Sequence, residues 1–251
     1  MHTIFSPLIN RLGKIREERN FSNPPIIIGG CGRSGTTLLL SILDAHPEVF
    51  AFPDEMSVFN HWNKKSKNIK PQRFDRIYRY LLTHRIPGTA KRWCEKTPRN
   101  VRFIQDIFDY YNEDVYFIHI IRDGRDVVLS KHPSNPDEYW ISPQRWVRDV
   151  KAGMIYKKHP KVLTIKYEDL IENYPATIKK ICNFADLEIT PKLENWFEHT
   201  QVRKNNAWHN GLQKLHGNSI GKWQEPKYKK RVDDFMRHED AVELLKELGY
   251  H

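Results

Sequence analysis

Residues 25–37 read Pro-Ile-Ile-Ile-Gly-Gly-Cys-Gly-Arg-Ser-Gly-Thr-Thr, and this stretch decides how the rest of the chain is interpreted. Its three isoleucines form a short run of β-branched residues, which favours a buried strand. Glycines follow, and Leu38-Leu39-Leu40 then offer an apolar start for a helix. The order of strand, glycine-rich turn and helix is typical of loops that hold an anion with backbone N–H groups and a helix N-terminus.

The loop matches the consensus G-x-x-x-x-G-K-[ST] of triphosphate-binding loops at every fixed position except one. Gly30, Gly35 and Thr37 stand where the consensus requires, but Thr36 replaces the lysine. A triphosphate hydrolase needs that lysine to bridge the β- and γ-phosphates. Arg33 supplies a cation earlier in the loop, as a planar fork that suits phosphate oxygens. The loop therefore favours a phosphorylated ligand other than a nucleoside triphosphate.

The composition is that of a folded, basic protein. With 251 residues, of which 39% are hydrophobic and 12% aromatic, the chain can bury the core of one large α/β domain. The net charge of +10 favours anionic partners, although a merely basic surface would give the same excess. No common nucleic-acid motif is present, so we expect no nucleic-acid partner. No apolar stretch approaches the roughly 20 residues that a membrane span needs.

The three cysteines are Cys31, Cys94 and Cys182. They show neither C-x-x-C spacing nor a cluster of metal-ligating residues, so we expect no metal ion. An odd and sparse set of cysteines fits a reducing compartment. The N-terminus also lacks the apolar core and cleavage site of a signal peptide. These features predict a cytoplasmic protein.

Residues 1–24 are predicted to form an N-terminal segment ahead of a single domain over 25–251. Ile4, Leu8, Leu12 and Ile15 recur there at helical spacing, beside several basic residues. An amphipathic helix of this kind can contact a membrane surface through residues 1–20, or it can pack against its own domain. Both alternatives stay open from the sequence.

Further apolar runs predict the remaining elements. Strands are predicted at 93–97, 115–121 and 162–167, and helices at 73–84, 101–111, 144–158, 175–185 and 240–248. Polar, proline-rich or glycine-rich stretches predict loops at 60–73, 131–143 and 200–227, the last of them long and mobile. Strands that alternate with helices indicate β-α-β units. The expected fold is α/β, a P-loop-type three-layer arrangement with a central parallel sheet flanked by helices.

A second polar stretch follows the apolar run 115–121 and reads Arg-Asp-Gly-Arg-Asp-Val-Val-Leu-Ser, from Arg122 to Ser130. Open α/β sheets bind ligands at the carboxyl ends of their strands, so this stretch is expected at the same edge as the first loop. The guanidinium of Arg122 and the hydroxyl of Ser130 suit a second phosphate group. Salt-bridged helix starts also produce this pattern, which makes it weak on its own.

Together, the two loops resemble those of the sulfotransferases that use 3′-phosphoadenosine 5′-phosphosulfate (PAPS). Residues 30–37 look like the family's 5′-phosphosulfate loop, and residues 122–130 look like its 3′-phosphate motif. Residues 27–48, with Leu43-Asp44-Ala45-His46-Pro47, are especially similar to tyrosylprotein sulfotransferases and related bacterial enzymes. The resemblance covers about residues 25–184 and is poor outside them.

The resemblance implies donor-binding roles for nine residues. They are Arg33, Ser34, Gly35, Thr36 and Thr37 for the 5′-phosphosulfate, Arg122 and Ser130 for the 3′-phosphate, Tyr167 for the adenine, and Lys222 for a phosphate. Lys222 belongs to Gly221-Lys222-Trp223, which is similar to a C-terminal element that closes over the donor. A strand-end tyrosine that faces the core is the alternative for Tyr167.

The resemblance also implies two catalytic residues. Asp54 and Glu55 stand where the tyrosylprotein branch has an acidic pair that contains the general base. Glu55 is the predicted base and Asp54 the alternative. If the pair has no catalytic function, it is expected to be a solvated acidic pair that caps a helix. Cys94-Glu95-Lys96-Thr97-Pro98 resembles the branch's C-N-K-D-P segment, so Lys96 is expected to stabilise charge on the leaving phosphate oxygen. His46 and His61 are the other candidate bases.

We therefore expect transfer of a sulfuryl group from PAPS to an acceptor hydroxyl, with no metal. The alternatives are a P-loop kinase or NTPase, and a non-catalytic module that binds nucleic acid or an anionic glycan. The acceptor stays open among small molecules, glycans and tyrosyl peptides, because donor-site motifs say little about the acceptor. The sequence does not predict the oligomeric state.

Overall fold

The computed structural model describes residues 6–59, 73–132, 134–202 and 217–251. Ile4, the candidate base His61 and the larger part of two predicted loops, at 60–72 and 203–216, lie outside the described residues.

Seven strands and twelve helices make up the described part of the chain. The strands are β1 (Ile26–Gly30), β2 (Val49–Ala51), β3 (Arg92–Lys96), β4 (Tyr116–Ile121), β5 (Lys131–His132), β6 (Asn135–Tyr139) and β7 (Val162–Lys166). The helices are α1 (Ser6–Asn20), α2 (Thr36–Asp44), α3 (Phe74–Thr83), α4 (Ile104–Tyr111), α5 (Gly124–Val127), α6 (Pro143–Met154), α7 (Tyr167–Glu172), α8 (Tyr174–Phe184), α9 (Pro191–Glu194), α10 (Trp196–His199), α11 (Lys229–Met236) and α12 (Glu239–Glu247). Short 3₁₀ turns cover Pro98–Arg102, Gly217–Ser219, Lys222–Gln224 and Pro226–Tyr228.

Five of the strands form one parallel sheet in the order β2-β3-β1-β4-β7, with β1 in the centre. Every residue of β1 is buried, as expected when helices cover both faces of a parallel sheet. Ile26 and Ile28 pack in a core with α2 and α8, and Ile27 packs on the other face in a core with α3 and α4. These two cores confirm the predicted α/β fold, with a central parallel sheet flanked by helices.

The strands end at one edge of this sheet, and the predicted site residues follow them there. Arg33 follows β1, Glu55 follows β2, and Lys96 is the last residue of β3. Arg122 comes directly after β4, and Tyr167 comes directly after β7. Because the five strands are parallel, their carboxyl ends place these five side chains along the same edge.

Most predicted elements agree with the structure within a few residues, and three predictions are corrected. The helix expected over 101–111 begins as the 3₁₀ turn Pro98–Arg102 and becomes helical only at Ile104. The loop expected over 131–143 contains the antiparallel pair β5-β6, whose exposed strand tolerates Pro136 because it has a free edge. Within 200–227, where the sequence predicts a long mobile loop, the described residues from Gly217 onward form a series of 3₁₀ turns.

Helix α1 packs against α3, and Gly13 marks the point of close approach. A methyl group at Gly13 would lie 2.1 Å from Cβ of Tyr78, so no larger residue fits there. The buried Glu17 accepts a hydrogen bond of 2.8 Å from Nε1 of Trp93. The face that carries Leu8, Leu12 and Ile15 points away from this contact, and these side chains remain 55%, 46% and 45% exposed. The described helices include none long and apolar enough to cross a membrane.

Candidate active site

The loop between β1 and α2 has the shape of an anion cradle. Gly35 has a φ of 90°, and a methyl group there would lie 2.4 Å from Cδ2 of Tyr167. Arg33 also has a positive φ, of 73°, which is uncommon for a residue other than glycine and marks a strained turn. Thr36 and Thr37 open α2, and no side chain caps this end of the helix. The N–H groups of the first turn therefore remain available to a ligand.

Two buried polar atoms of the loop region lack a partner among the described residues. The hydroxyl of Ser34 is buried within the loop without a hydrogen bond, and Nε of Arg122 is buried and unpartnered as well. Such orphaned groups are costly unless a ligand or water satisfies them. Both atoms belong to residues predicted to hold the donor's phosphates, so the described residues fit a doubly phosphorylated nucleotide.

Arg122 joins the two predicted phosphate-binding loops. Its Nη1 donates a hydrogen bond of 3.2 Å to the carbonyl of Arg33, and its Nη2 donates to the carbonyl of Ser219. Its guanidinium lies 4.5 Å from the ring centre of Tyr167, whose hydroxyl hydrogen-bonds with that of Ser219 at 2.7 Å. The structure thus brings Arg33, Arg122 and Tyr167 together. Burial lowers the pKa of Arg33, and the charge of Arg122 adds to this shift.

A short C-terminal segment, residues 217–224, packs against the stretch that follows Arg122. The carboxylate of Asp126 accepts hydrogen bonds from the backbone N–H groups of Gly221, at 2.8 Å, and Trp223, at 3.0 Å. The guanidinium of Arg125 stacks at 3.7 Å on the indole of Trp223. The segment therefore packs against residues of the second predicted phosphate loop.

Two of the predicted donor-binding residues are less engaged. Ser130 is half-buried beyond the end of α5, and its carbonyl accepts a hydrogen bond from the N–H of Trp140. Lys222 is exposed at the start of a 3₁₀ turn. In the part of the chain that the structure describes, no hydrogen bond or ion pair links either side chain to Arg33 or Arg122.

The two predicted catalytic residues contact each other. Nζ of Lys96 donates a hydrogen bond of 2.7 Å to Oε1 of Glu55. The lysine side chain is 2% exposed, and that of the glutamate is 47% exposed. A buried cation at the donor edge and an accessible carboxylate beside it suit electrostatic stabilisation and proton transfer, respectively. The charge of Asp54 instead affects Tyr80. Burial raises the pKa of this tyrosine, and the charge of Asp54 adds to the rise.

A buried carboxylate that the sequence analysis did not single out fixes this pair. Oε1 of Glu95 accepts hydrogen bonds from the N–H of Met56, at 3.0 Å, and from the hydroxyl of Thr97, at 2.5 Å. Its Oε2 accepts from Nδ2 of Asn100 at 2.7 Å. Burial raises the pKa of Glu95, and these hydrogen bonds oppose the rise. Glu95 therefore links Met56, the residue after Glu55, to the end of β3. The sequence could have indicated this role, because an acidic residue inside a buried strand is unusual.

The remaining candidates serve the fold. Nε2 of His46 lies 2.8 Å from the carbonyl of Glu188, and Nδ1 accepts the N–H of Glu48 at 3.1 Å. Both ring nitrogens are thus engaged with backbone groups, one in the turn between α2 and β2 and the other in the segment after α8. The three cysteines are free and buried, and burial raises the pKa of Cys31 far above its usual range, which leaves it a poor nucleophile.

Comparisons with known proteins give the family of this chain. The sequence profile of the sulfotransferase domain matches residues 23–242. A Drosophila melanogaster protein-tyrosine sulfotransferase is 29% identical in an alignment 195 positions long, which covers 67% of this chain and 39% of that protein. A Caenorhabditis briggsae relative assigned to the same class is 29% identical in an alignment 189 positions long, which covers 67% of each chain. The chain thus spans only part of the length of these relatives.

Solved structures show the same fold at low sequence identity. The sulfotransferase domain of the Synechococcus PCC 7002 olefin synthase aligns with a TM-score of 0.60 at 17% identity, over 92% of this chain and 96% of that domain. A mouse sulfotransferase complexed with PAP (adenosine 3′,5′-bisphosphate) aligns with a TM-score of 0.52 at 16% identity, over 97% of this chain and 93% of that chain. Because the domain profile covers most of the chain and the fold agrees, this protein belongs to the sulfotransferase-domain family.

Proposed function

We propose that this protein transfers a sulfuryl group from PAPS to the hydroxyl of an acceptor, with Glu55 as general base and Lys96 as the electrostatic catalyst. The observation that carries the proposal is the placement of five predicted residues at the carboxyl ends of five parallel strands. Arg33 and Arg122 form the phosphate-binding side of that edge, and the Lys96–Glu55 pair forms the reacting side.

The donor would be held by two groups of residues. Arg33, Ser34, Gly35, Thr36 and Thr37 surround the 5′-phosphosulfate with backbone N–H groups, hydroxyls and a guanidinium. Arg122 takes the 3′-phosphate together with Ser130, Tyr167 supports the adenine, and Lys222 adds a cation from the closing segment. The unpartnered hydroxyl of Ser34 and Nε of Arg122 support these assignments.

PAPS supplies the sulfuryl group and departs as adenosine 3′,5′-bisphosphate (PAP). The acceptor oxygen forms a bond to sulfur while the bond from sulfur to the 5′-phosphate oxygen breaks. Glu55 accepts the proton of the acceptor hydroxyl, which its exposure allows. Lys96, held in place by burial, places a positive charge where negative charge grows on the leaving oxygen.

The acceptor class is a finer question. The similarity to relatives named protein-tyrosine sulfotransferases supports a tyrosyl peptide, and small-molecule and glycan hydroxyls remain alternatives. A screen with ³⁵S-labelled PAPS over these three acceptor classes separates them. Transfer to one class in the wild type, lost in Glu55→Gln, supports the proposal. Magnesium-dependent turnover of ATP, with no transfer from PAPS to any class, would support the alternative kinase or NTPase function instead.

The other parts of the proposal concern cofactors, surroundings and organisation. We propose that transfer needs no metal, so EDTA should leave its rate unchanged.

Three free, buried cysteines support a cytoplasmic location. The exposed stripe of Leu8, Leu12 and Ile15 supports contact between residues 1–20 and a membrane surface, which co-sedimentation with phosphatidylserine vesicles tests against Leu12→Asp. Residues 25–251 would form one sulfotransferase domain, preceded by the segment 1–24.

A further inference from the structure

A group of arginines outside the proposed donor site surrounds a single buried carboxylate. Asp149 on α6 is 1% exposed, and its oxygens lie 2.5 Å from Nε of Arg102, 3.5 Å from Nε of Arg148 and 3.7 Å from Nε of Arg145. Arg99, in the same 3₁₀ turn as Arg102, is exposed and close enough to act on Arg145. We refer to Arg99, Arg102, Arg145 and Arg148 as the arginine cluster.

The arginine cluster carries more positive charge than Asp149 balances. Three guanidinium groups lie within 4 Å of this carboxylate and Arg99 acts on Arg145, so these five residues have a surplus of three positive charges. Nε of Arg145 is buried without a hydrogen-bond partner. Burial lowers the pKa of Arg145, and the charges of Arg102 and Arg99 act in the same direction. An anion from solution would relieve the repulsion among the arginines. The side chain of Arg148 is 59% exposed, so an anion can reach the cluster from solvent.

The arginine cluster adjoins the proposed site. A methyl group at Gly32, in the donor loop, would lie 3.4 Å from Nη2 of Arg145. Gly35 of the same loop contacts Tyr167 instead, on the side of the proposed 3′-phosphate group. The 3₁₀ turn that carries Arg99 and Arg102 begins two residues after Lys96. The cluster thus borders the donor loop at Gly32, two of its arginines belong to the turn that follows Lys96 in the chain, and all four are separate from the arginines assigned to the donor.

We propose that the arginine cluster binds a phosphate group carried by the acceptor, so that the preferred substrates are phosphorylated hydroxyl compounds. This inference rests on the proposed sulfuryl transfer and specifies its substrate class. A phosphomonoester carries between one and two negative charges near pH 7 and offers three acceptor oxygens, which matches a surplus of several positive charges better than one carboxylate does. Guanidinium forks bind such oxygens in pairs.

The test uses the full chain saturated with PAP and a matched pair of probes, 4-hydroxyphenyl phosphate and the uncharged 4-hydroxybenzyl alcohol. Calorimetric titration should show that the phosphate probe binds at least about tenfold more tightly. The double variant R99Q/R148Q alters two exposed side chains, and Arg145→Gln alters the one beside Gly32. Each should weaken the phosphate probe about tenfold and leave the uncharged probe unchanged. Arg237→Gln, at an exposed arginine that pairs with Asp234 and not with Asp149, should change neither.

Three results of the probe titrations would overturn the inference. They are equal affinity for both probes, a phosphate preference that survives in both variants, and equal binding of inorganic phosphate and 4-hydroxyphenyl phosphate, which would indicate a site for free anions. A variant that weakens PAP but neither probe would place the cluster in the donor site and also overturn it. PAP binding in the first step reports on the proposed function, so failure of that function is recognised separately.

Discussion

Nζ of Lys96 and Oε1 of Glu55 lie 2.7 Å apart, although the two residues are 41 positions apart in the chain and differ greatly in exposure. The lysine is fixed at the end of β3, and the glutamate reaches it from the segment after β2. The buried ammonium group of Lys96 therefore lies beside the carboxylate of Glu55, which solvent and an acceptor can reach. This relationship underlies the proposed division of work between the two residues.

The first prediction separates Glu55 from its neighbour Asp54. Glu55→Gln should lower kcat by about 10²- to 10⁴-fold, because the acceptor hydroxyl loses its base. PAP affinity should stay unchanged, because the carboxylate does not take part in holding the donor. Asp54→Asn is the matched control and should retain most of the activity. A larger loss in Asp54→Asn than in Glu55→Gln would assign the base to Asp54.

The second prediction concerns the tight contact between Gly35 and Tyr167. Gly35→Ala places a methyl group 2.4 Å from the ring and strains a residue whose φ is 90°. We expect PAP affinity to fall at least about tenfold, since about 1–3 kcal/mol of strain would fall on the donor loop. Gly249→Ala carries the same kind of strain, at a φ of 72°, but nothing closer than 3.8 Å. An equal loss of PAP affinity in both variants would contradict the account.

The third prediction concerns Glu95. Glu95→Ala leaves the N–H of Met56 and the side chains of Thr97 and Asn100 without their acceptor. Unfolding in urea should show a loss of about 2–4 kcal/mol, with a fall in kcat because the segment that carries Glu55 loses its anchor. Glu95→Gln keeps one carbonyl acceptor and should lose less of both. If Glu95→Ala lowered stability but left kcat unchanged, Glu95 would have no positioning role.

The fourth prediction is a dependence of stability on pH that arises from His119. Both ring nitrogens of this residue, in the middle of β4, are buried without a partner in the described structure, and burial lowers its pKa to about 3. The unfolded chain takes up a proton near pH 6.5, whereas the folded chain resists it. The stabilisation is therefore complete above pH 6.5 and is lost as the pH falls toward 3.

Urea unfolding at pH 7.5 and pH 5.0 checks this prediction. The free energy of unfolding should fall by about 2 kcal/mol more in the wild type than in His119→Phe, because each pH unit below 6.5 contributes about 1.4 kcal/mol. The comparison uses only the difference between the two pH values, so a constant effect of the larger ring at Gly153 cancels. Equal pH dependence in both proteins would show that His119 is not the responsible group.

The sequence allowed the fold to be predicted because its signals are local. The run before Gly29 and the run before Arg122 are each continuous, and parallel strands bring their carboxyl ends to one edge, so the meeting of Arg33 with Arg122 followed from the fold class. The resemblance to a known family then supplied candidate roles for Lys96 and for the acidic segment, whereas the contact between Lys96 and Glu55 became visible only in the structure.

The parts that escaped prediction depend on contacts between distant segments. Asp126 holds the N–H groups of Gly221 and Trp223 across more than 90 residues, and no spacing rule indicates such a contact. The predicted stripe of Leu8, Leu12 and Ile15 was correct as a pattern, but close packing at another face of α1 left it exposed. Periodicity indicates which residues share a face, but it does not show which face finds a partner.

The central claim is that the site holds a nucleotide with two separate phosphate groups, one of them on Arg122. Calorimetric titration with PAP and with adenosine 5′-monophosphate, which lacks the 3′-phosphate, tests it most directly. The account predicts that the wild type binds PAP at least about tenfold more tightly than the monophosphate, and that Arg122→Ala removes most of this difference. Equal affinity of the wild type for both nucleotides, or an unchanged preference for PAP in Arg122→Ala, would contradict it.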